Sequence, residues 1–167
     1  MGNRKARQFK QQQDDAAAWN RVIAEPRLAI QDVHAPGIGA RRLQLIVCPS
    51  FEKGQAWEAR QREDEWSLFR SELVADWPDV QLLGYDRLSI ASAALASLFA
   101  RVTSLTLPLT PHLNDMGGAD GTLMQLAVFG DLHSEWRCQW WSEPPPAWRP
   151  LVEITEEMMA AFAAAQD

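Results

Sequence analysis

Cysteine is scarce in this chain, with Cys48 and Cys138 the two among 167 residues. They have no CxxC spacing, and a chain of this length can bury about two thirds of its unfolded-chain surface without staples, so no disulfide framework is required. Both fall in predicted strands, where free cysteine behaves as a small buried apolar residue, and both suit a reducing compartment. Long apolar runs are also missing. Nothing approaches the roughly 18 residues of a membrane span, and the polar N-terminus has no secretory h-region, so the expectation is a cytoplasmic protein with no membrane partner. Lysine is rare, three against thirteen arginines, which favours forked, planar contacts or reflects genomic codon bias. The one basic cluster, Arg4, Lys5, Arg7 and Lys10, lies in a Gln-rich segment. A formal net charge of -6 and a pI near 5.1 disfavour nucleic acid, whose binding depends on neutralising phosphates, and would attract a basic partner protein.

Motifs that spell out a reaction are absent as well. His112, Asp115 and Asp120 share one loop and are the single cluster of acid-base or metal-ligating groups. Their spacing matches no HExxH, DxDxDG or nucleophile-elbow pattern. Asp120 before Gly121 fits an Asx-type turn, His133 and Glu135 read as solvated neighbours, and Gly117-Gly118 is too little for a phosphate loop. No catalytic residue, metal or cofactor is therefore expected, and the chain reads as a binding protein, not an enzyme.

What the sequence does have is tryptophan, eight of them, half within Asp120 to Pro150. In that stretch Thr122 to Phe129 is an apolar run of strand length between two turn signals, Asp120-Gly121 and Gly130-Asp131. A second run follows, and the two predict a β-hairpin. Strand alternation puts Leu132, Ser134, Trp136, Cys138 and Trp140 on one face and His133, Glu135, Arg137, Gln139 and Trp141 on the other, one buried and one wet. Trp140 and Trp141 cannot both be core. Glu143 to Pro146 must leave the sheet, since proline lacks the amide donor a ladder needs. Trp148 then folds back over the hairpin, either as packing on the prolines or as part of a contact surface.

Before the hairpin, residues 3 to 24 predict a polar helix with a thin apolar stripe of Phe9, Ala16, Trp19, Val22 and Ile23. Arg42 to Pro49 is too continuously apolar for an edge and predicts an interior strand. Phe51 to Leu73 predicts a hairpin with arms near 55 to 63 and 65 to 73, turned at Asp64-Glu65, with Trp57, Ala59, Trp66 and Leu68 inward; a single helix is the competing reading. Val80 to Leu83 predicts another short strand. Ser89 then caps a helix to about Thr103 with Ala94, Leu95, Leu98, Phe99 and Val102 on its packed face. Leu105 to Leu109 predicts a short extended edge segment. After the prolines, Leu151, Ile154, Met158 and Phe162 mark a C-terminal helix over about 151 to 164, with Thr155 as its cap.

The Asp120-Gly121-Thr122 turn, the Trp140-Trp141 pair, Glu143-Pro144-Pro145 and Trp148-Arg149-Pro150-Leu151 before a closing helix resemble small bacterial proteins of the toxin-immunity type. Such proteins are encoded beside polymorphic or type VI secreted toxins. The resemblance covers about residues 40 to 160 and implies a cytoplasmic protein that binds and neutralises a cognate toxin or effector by protein-protein interaction. It brings no catalytic residue with it.

The expectation is thus a single α+β domain over 1-167, with a core at 40-164 and a peripheral N-terminal helix at 1-26. Its mostly antiparallel sheet has five to seven strands, with helices at 89-103 and at the C-terminus. The candidate partner-binding residues are Asp115, Asp120, Asp131, Glu135, Trp141, Glu143 and Trp148. The alternative is a small-ligand protein or enzyme whose pocket is formed by Trp140, Trp148 and the 112-120 loop.

Overall fold

A computed structural model describes residues 38–50, 52–76, 79–108, 121–132, 134–142 and 144–165. Six strands form one antiparallel sheet: β1 (Ala40–Pro49), β2 (Gly54–Arg62), β3 (Glu65–Asp76), β4 (Asp79–Leu88), β5 (Thr122–Phe129) and β6 (Glu135–Trp141). Their spatial order is β4-β3-β2-β1-β5-β6, which puts β1 in the interior as its continuous apolar run predicts. Two helices complete the described fold, α1 (Ser92–Thr103) and α2 (Arg149–Ala164). The N-terminal helix expected over 3 to 24 lies outside the described residues.

The registers explain how the sheet divides into two faces. Leu45 pairs with Trp57 on one side and Leu126 on the other, and Leu126 pairs in turn with Cys138. These residues share a face with Leu43, Val47, Ala59, Trp66, Leu68 and Trp140, and α1 and α2 cover it. Leu95, Leu98 and Val102 of α1 and Leu151, Ile154, Met158 and Phe162 of α2 supply the helical half of this core. Trp57 meets Phe162 at 6.2 Å and Trp66 meets Phe99 at 5.1 Å between ring centroids. Arg101 clasps the two helices together through both Glu157 oxygens at 2.6 and 2.7 Å.

Several local expectations need correction. The 51–73 stretch is a hairpin, but Arg62 pairs with Glu65, so the turn is Glu63-Asp64, with Glu63 in the left-handed region at φ 55°. β4 runs on to Leu88, far beyond Leu83, so α1 starts at Ser92 and its N-cap is Ala91, not Ser89. The Ser92 hydroxyl accepts from the Trp66 amide and so ties the helix start to β3. Ala94 is exposed. Leu105 and Leu107 pack on the core without forming a strand, the Leu105 amide donating to the Val102 carbonyl at 3.1 Å; Leu109 lies outside the described residues. Thr155 does not cap α2: it is buried inside the helix and its hydroxyl donates to the Leu151 carbonyl one turn back. A 3-10 turn at Pro146–Trp148 leads into that helix instead.

Candidate functional site

Among the described residues, the large apolar side chains that stand exposed, Leu132 and Trp136, both lie on the β5-β6 hairpin. Its loop is closed by the Gly130 amide donating to the Ser134 carbonyl at 2.9 Å and by the Ser134 hydroxyl donating to the Asp131 carbonyl. That loop forces Leu132 into the left-handed region at φ 57°, and its side chain stands 98 % exposed. Branched side chains are costly there, by about 1–2 kcal/mol, and exposure returns none of it through burial. Leu132→Asn, which suits that conformation, is therefore expected to raise stability by up to about 1 kcal/mol in urea denaturation. An unchanged or lowered midpoint would show that the loop holds Leu132 in this conformation at no appreciable backbone cost.

Trp136 pairs with Val128 and is 37 % exposed. It departs from the expected pattern, since Cys138 and Trp140 on the same face are buried. The reason is position: α1 ends at Thr103, and beyond it the covering layer is Leu105 and Leu107. A groove of about 380 Å³ opens there, lined by Val102, Thr103, Leu105, Leu107, Val128 and Trp136. The Thr103 hydroxyl is already turned inward onto the Phe99 and Ala100 carbonyls at 3.0 Å each, so the groove presents little directional polarity.

The expected binding residues that are described, Asp131, Glu135, Trp141 and Trp148, do not converge. Asp131, its side chain 85 % exposed, accepts from Arg42 Nη1 at 2.7 Å and anchors the hairpin tip to β1. Glu135 pairs with Arg137 on the surface, Arg137 Nε donating at 2.8 Å. Trp141 lies at the opposite end of β6, about 20 Å away along the strand, on the face away from the helices. It is half-buried, and its indole sits where a Cβ on Gly121 would come within 2.2 Å of Nε1. Trp148 is 9 % exposed and meets Trp140 edge-on at 6.4 Å, inside the helix-covered core. Asp115, Asp120, Glu143 and His112 lie outside the described residues, as does the 112-120 loop of the alternative pocket. The two tryptophans assigned to that pocket are both core.

Sequence reasoning missed a second constellation on the other face of the sheet. Glu58 is buried and receives five contacts. Its Oε1 is met by Arg41 Nη2 at 2.8 Å and Gln44 Nε2 at 3.1 Å. Its Oε2 is met by Tyr85 Oη at 2.6 Å and by Arg60 Nε and Nη2 at 3.2 and 3.1 Å. Arg60 Nε also donates to the Tyr85 oxygen, and its Nη1 donates to the Gly39 carbonyl at 3.0 Å. Gly39 has φ 84°, and a Cβ there would stand 2.6 Å from the Gln61 carbonyl oxygen, so only glycine fits. Tyr85 stacks on Phe69, and the Arg41 guanidinium lies over the Phe129 ring.

The Glu58 carboxylate at the centre of this cluster is fully engaged. Burial alone would raise the Glu58 pKa, but Arg41, Arg60 and the Tyr85 hydroxyl outweigh it and hold the carboxyl below its ordinary range. Burial and the Glu58 charge push Tyr85 far upward, so it keeps its proton. An ionised carboxylate with its lone pairs engaged is a poor general base. The thiols are equally quiet: burial pushes Cys138 up to about 11 and also raises Cys48, so both are protonated near neutrality and lack nucleophilic thiolate. Among the described residues no group of three or more His, Cys, Asp or Glu is placed to hold a metal ion, and no helix is long and apolar enough to cross a membrane.

A signal for the cluster does exist in the order Trp57-Glu58-Ala59-Arg60, where opposite charges alternate with apolar residues at the strand period. Compared with family models, with curated proteins and with solved structures, the chain matches none.

Proposed function

We propose that this chain is an immunity-type protein that binds a cognate bacterial toxin or effector and neutralises it by protein-protein interaction. The observation that carries the reading is the exposed pair Leu132 and Trp136 on one hairpin, beside an open apolar groove. Large apolar groups displayed together, with aromatic residues among them, are what protein interfaces use as anchors. Charge supports the same reading. The chain carries a formal net charge of -6. That field speeds encounter with a basic partner, and desolvated aromatic contacts then slow its release.

The test is purification of the tagged protein from its own cells, with mass spectrometry of any stoichiometric companion. The expected companion halts growth when expressed alone and is harmless when co-expressed with this chain. In kinetics on that pair, raising salt lowers the association rate and leaves dissociation nearly unchanged. A companion without effect on growth, or a co-purifying metal or small molecule in place of a protein, overturns the reading.

A further inference from the structure

The sheet has two faces, and among the described residues both helices lie on one of them. The other face is nevertheless dry across five strands. Arg41, Arg60 and Ala127 are 0 % exposed there, and Glu58, Phe69 and Tyr85 are buried with them. On β6 the same face turns wet, with Glu135, Arg137 and Gln139 exposed. A guanidinium standing on a bare sheet keeps its outer side in water, and a charged group is fully buried only among paired and packed neighbours. A second layer therefore lies over β4 to β5 and stops short of β6. The burial is reached within one copy of the chain, so that layer is part of the chain itself.

Two stretches long enough to supply it fall outside the described residues, 1–37 and 109–120. Where each joins the fold separates them. The first leads into Ile38, which is buried, and Gly39, whose carbonyl accepts from Arg60 Nη1 at 3.0 Å, so it enters beside the Glu58 cluster. The second departs just after Leu107, which packs on the helix-covered core, and returns at Gly121 beside Ser50. That return point is about 20 Å along β5 from Ala127. Length favours the first stretch as well. The helix that the sequence predicts over residues 3 to 24 is about 33 Å long, whereas five strands span about 19 Å, and residues 25 to 37 reach up to about 45 Å. Its stripe of Phe9, Ala16, Trp19, Val22 and Ile23 supplies the apolar side that such a layer needs.

We propose that residues 1–37 are the occupant of this face, a strap whose helix crosses β4 to β5 with its apolar stripe toward the sheet and the Glu58 cluster beneath it. The cluster is then the seat of the strap, its charges held dry between sheet and helix. This goes beyond the partner-binding reading and does not rest on it, since Trp136 and its groove lie on the other face.

The test uses the whole chain with photoreactive benzoylphenylalanine in place of Trp19, or of Arg21 as a control, and maps the cross-links by mass spectrometry. Trp19 is on the apolar stripe and Arg21 on the opposite side of the predicted helix. Position 19 is expected to join residues of β1 to β5 on the face that carries Glu58, and position 21 to give no cross-link to the sheet. Position 23, one turn on from 19, repeats the measurement independently. In thermal melts Trp19→Ala is expected to lower the midpoint by about 6 °C or more, as loss of a buried aromatic does, and Arg21→Ala to stay within about 2 °C of the parent. Cross-links from positions 19 and 23 to α1 or α2, to a second copy, or to nothing overturn the proposal. So does a Trp19→Ala variant that melts with the parent, which assigns the layer to residues 109–120. These results leave the growth-rescue test of the toxin reading untouched, and a failed growth rescue leaves the cross-links standing.

Discussion

Glu58→Gln is expected to cost about 3–5 kcal/mol of folding stability, a large fraction of what a domain of this size has. The reason is the inventory around the carboxylate. Arg41, Arg60, Tyr85 and Gln44 all converge on it, and both guanidiniums are fully buried. A neutral amide accepts through one oxygen and carries no charge, so Arg41 and Arg60 both lose the carboxylate that faces them in a low-dielectric setting. Tyr85→Phe should cost less, about 1.5–3 kcal/mol, because it removes one hydroxyl that donates to Glu58 and accepts from Arg60. The pH dependence has a definite sign. The folded-state pKa of Glu58 is lowered from an ordinary value of 4.5, so its contribution is present in full above that value and fades as pH falls through the folded one. Urea denaturation at pH 7 and at successively lower pH checks both points: the parent loses stability on acidification, and Glu58→Gln loses less over the same range because its deficit is already present. A Glu58→Gln variant within about 1 kcal/mol of the parent at pH 7 would mean that water reaches the cluster.

Why the hairpins and helices were legible and this cluster was not comes down to what alternation encodes. Trp57, Ala59, Trp66 and Leu68 lie two apart in their strands and all face the helices, so the period of two located them directly. Leu151, Ile154, Met158 and Phe162 did the same at helical spacing. The intervening residues of β2, Glu58 and Arg60, obey the same period, but a charged face is ordinarily a solvated one. The partners that neutralise it, Arg41 and Tyr85, come from β1 and β4, on either side of the β2-β3 hairpin. Pairing across such separations is a property of sheet order. Boundaries slipped for local reasons: Ser89 has a capping side chain, yet β4 continues to Leu88 and the helix turns in only at Ser92. In the candidate site, alternation placed Trp136 with Cys138 and Trp140 correctly. Its exposure depends on where α1 stops overhead, which no feature of β6 records.

Replacing Trp148 and Trp136 by alanine in parallel is expected to separate stability from binding. Trp148 is buried edge-on against Trp140, so its removal opens a cavity in the helix-covered core and should cost about 3–5 kcal/mol of stability. Trp136 has less to lose. It is already 37 % exposed at the rim of the groove, and its truncation should cost about 1 kcal/mol or less in the isolated protein. In complex with the proposed partner the order is expected to reverse. An aromatic side chain that becomes desolvated on binding carries about 2 kcal/mol or more, and such losses appear mainly in the dissociation rate. Trp136→Ala should therefore release the partner roughly 30-fold faster, whereas Trp148→Ala, measured well below its melting temperature where it is folded, should release it at nearly the parent rate. Surface-immobilised kinetics alongside thermal melts give both quantities for both variants. Faster release from Trp148→Ala with Trp136→Ala unaffected would move the contact surface off the groove and toward the proline-rich turn that precedes α2.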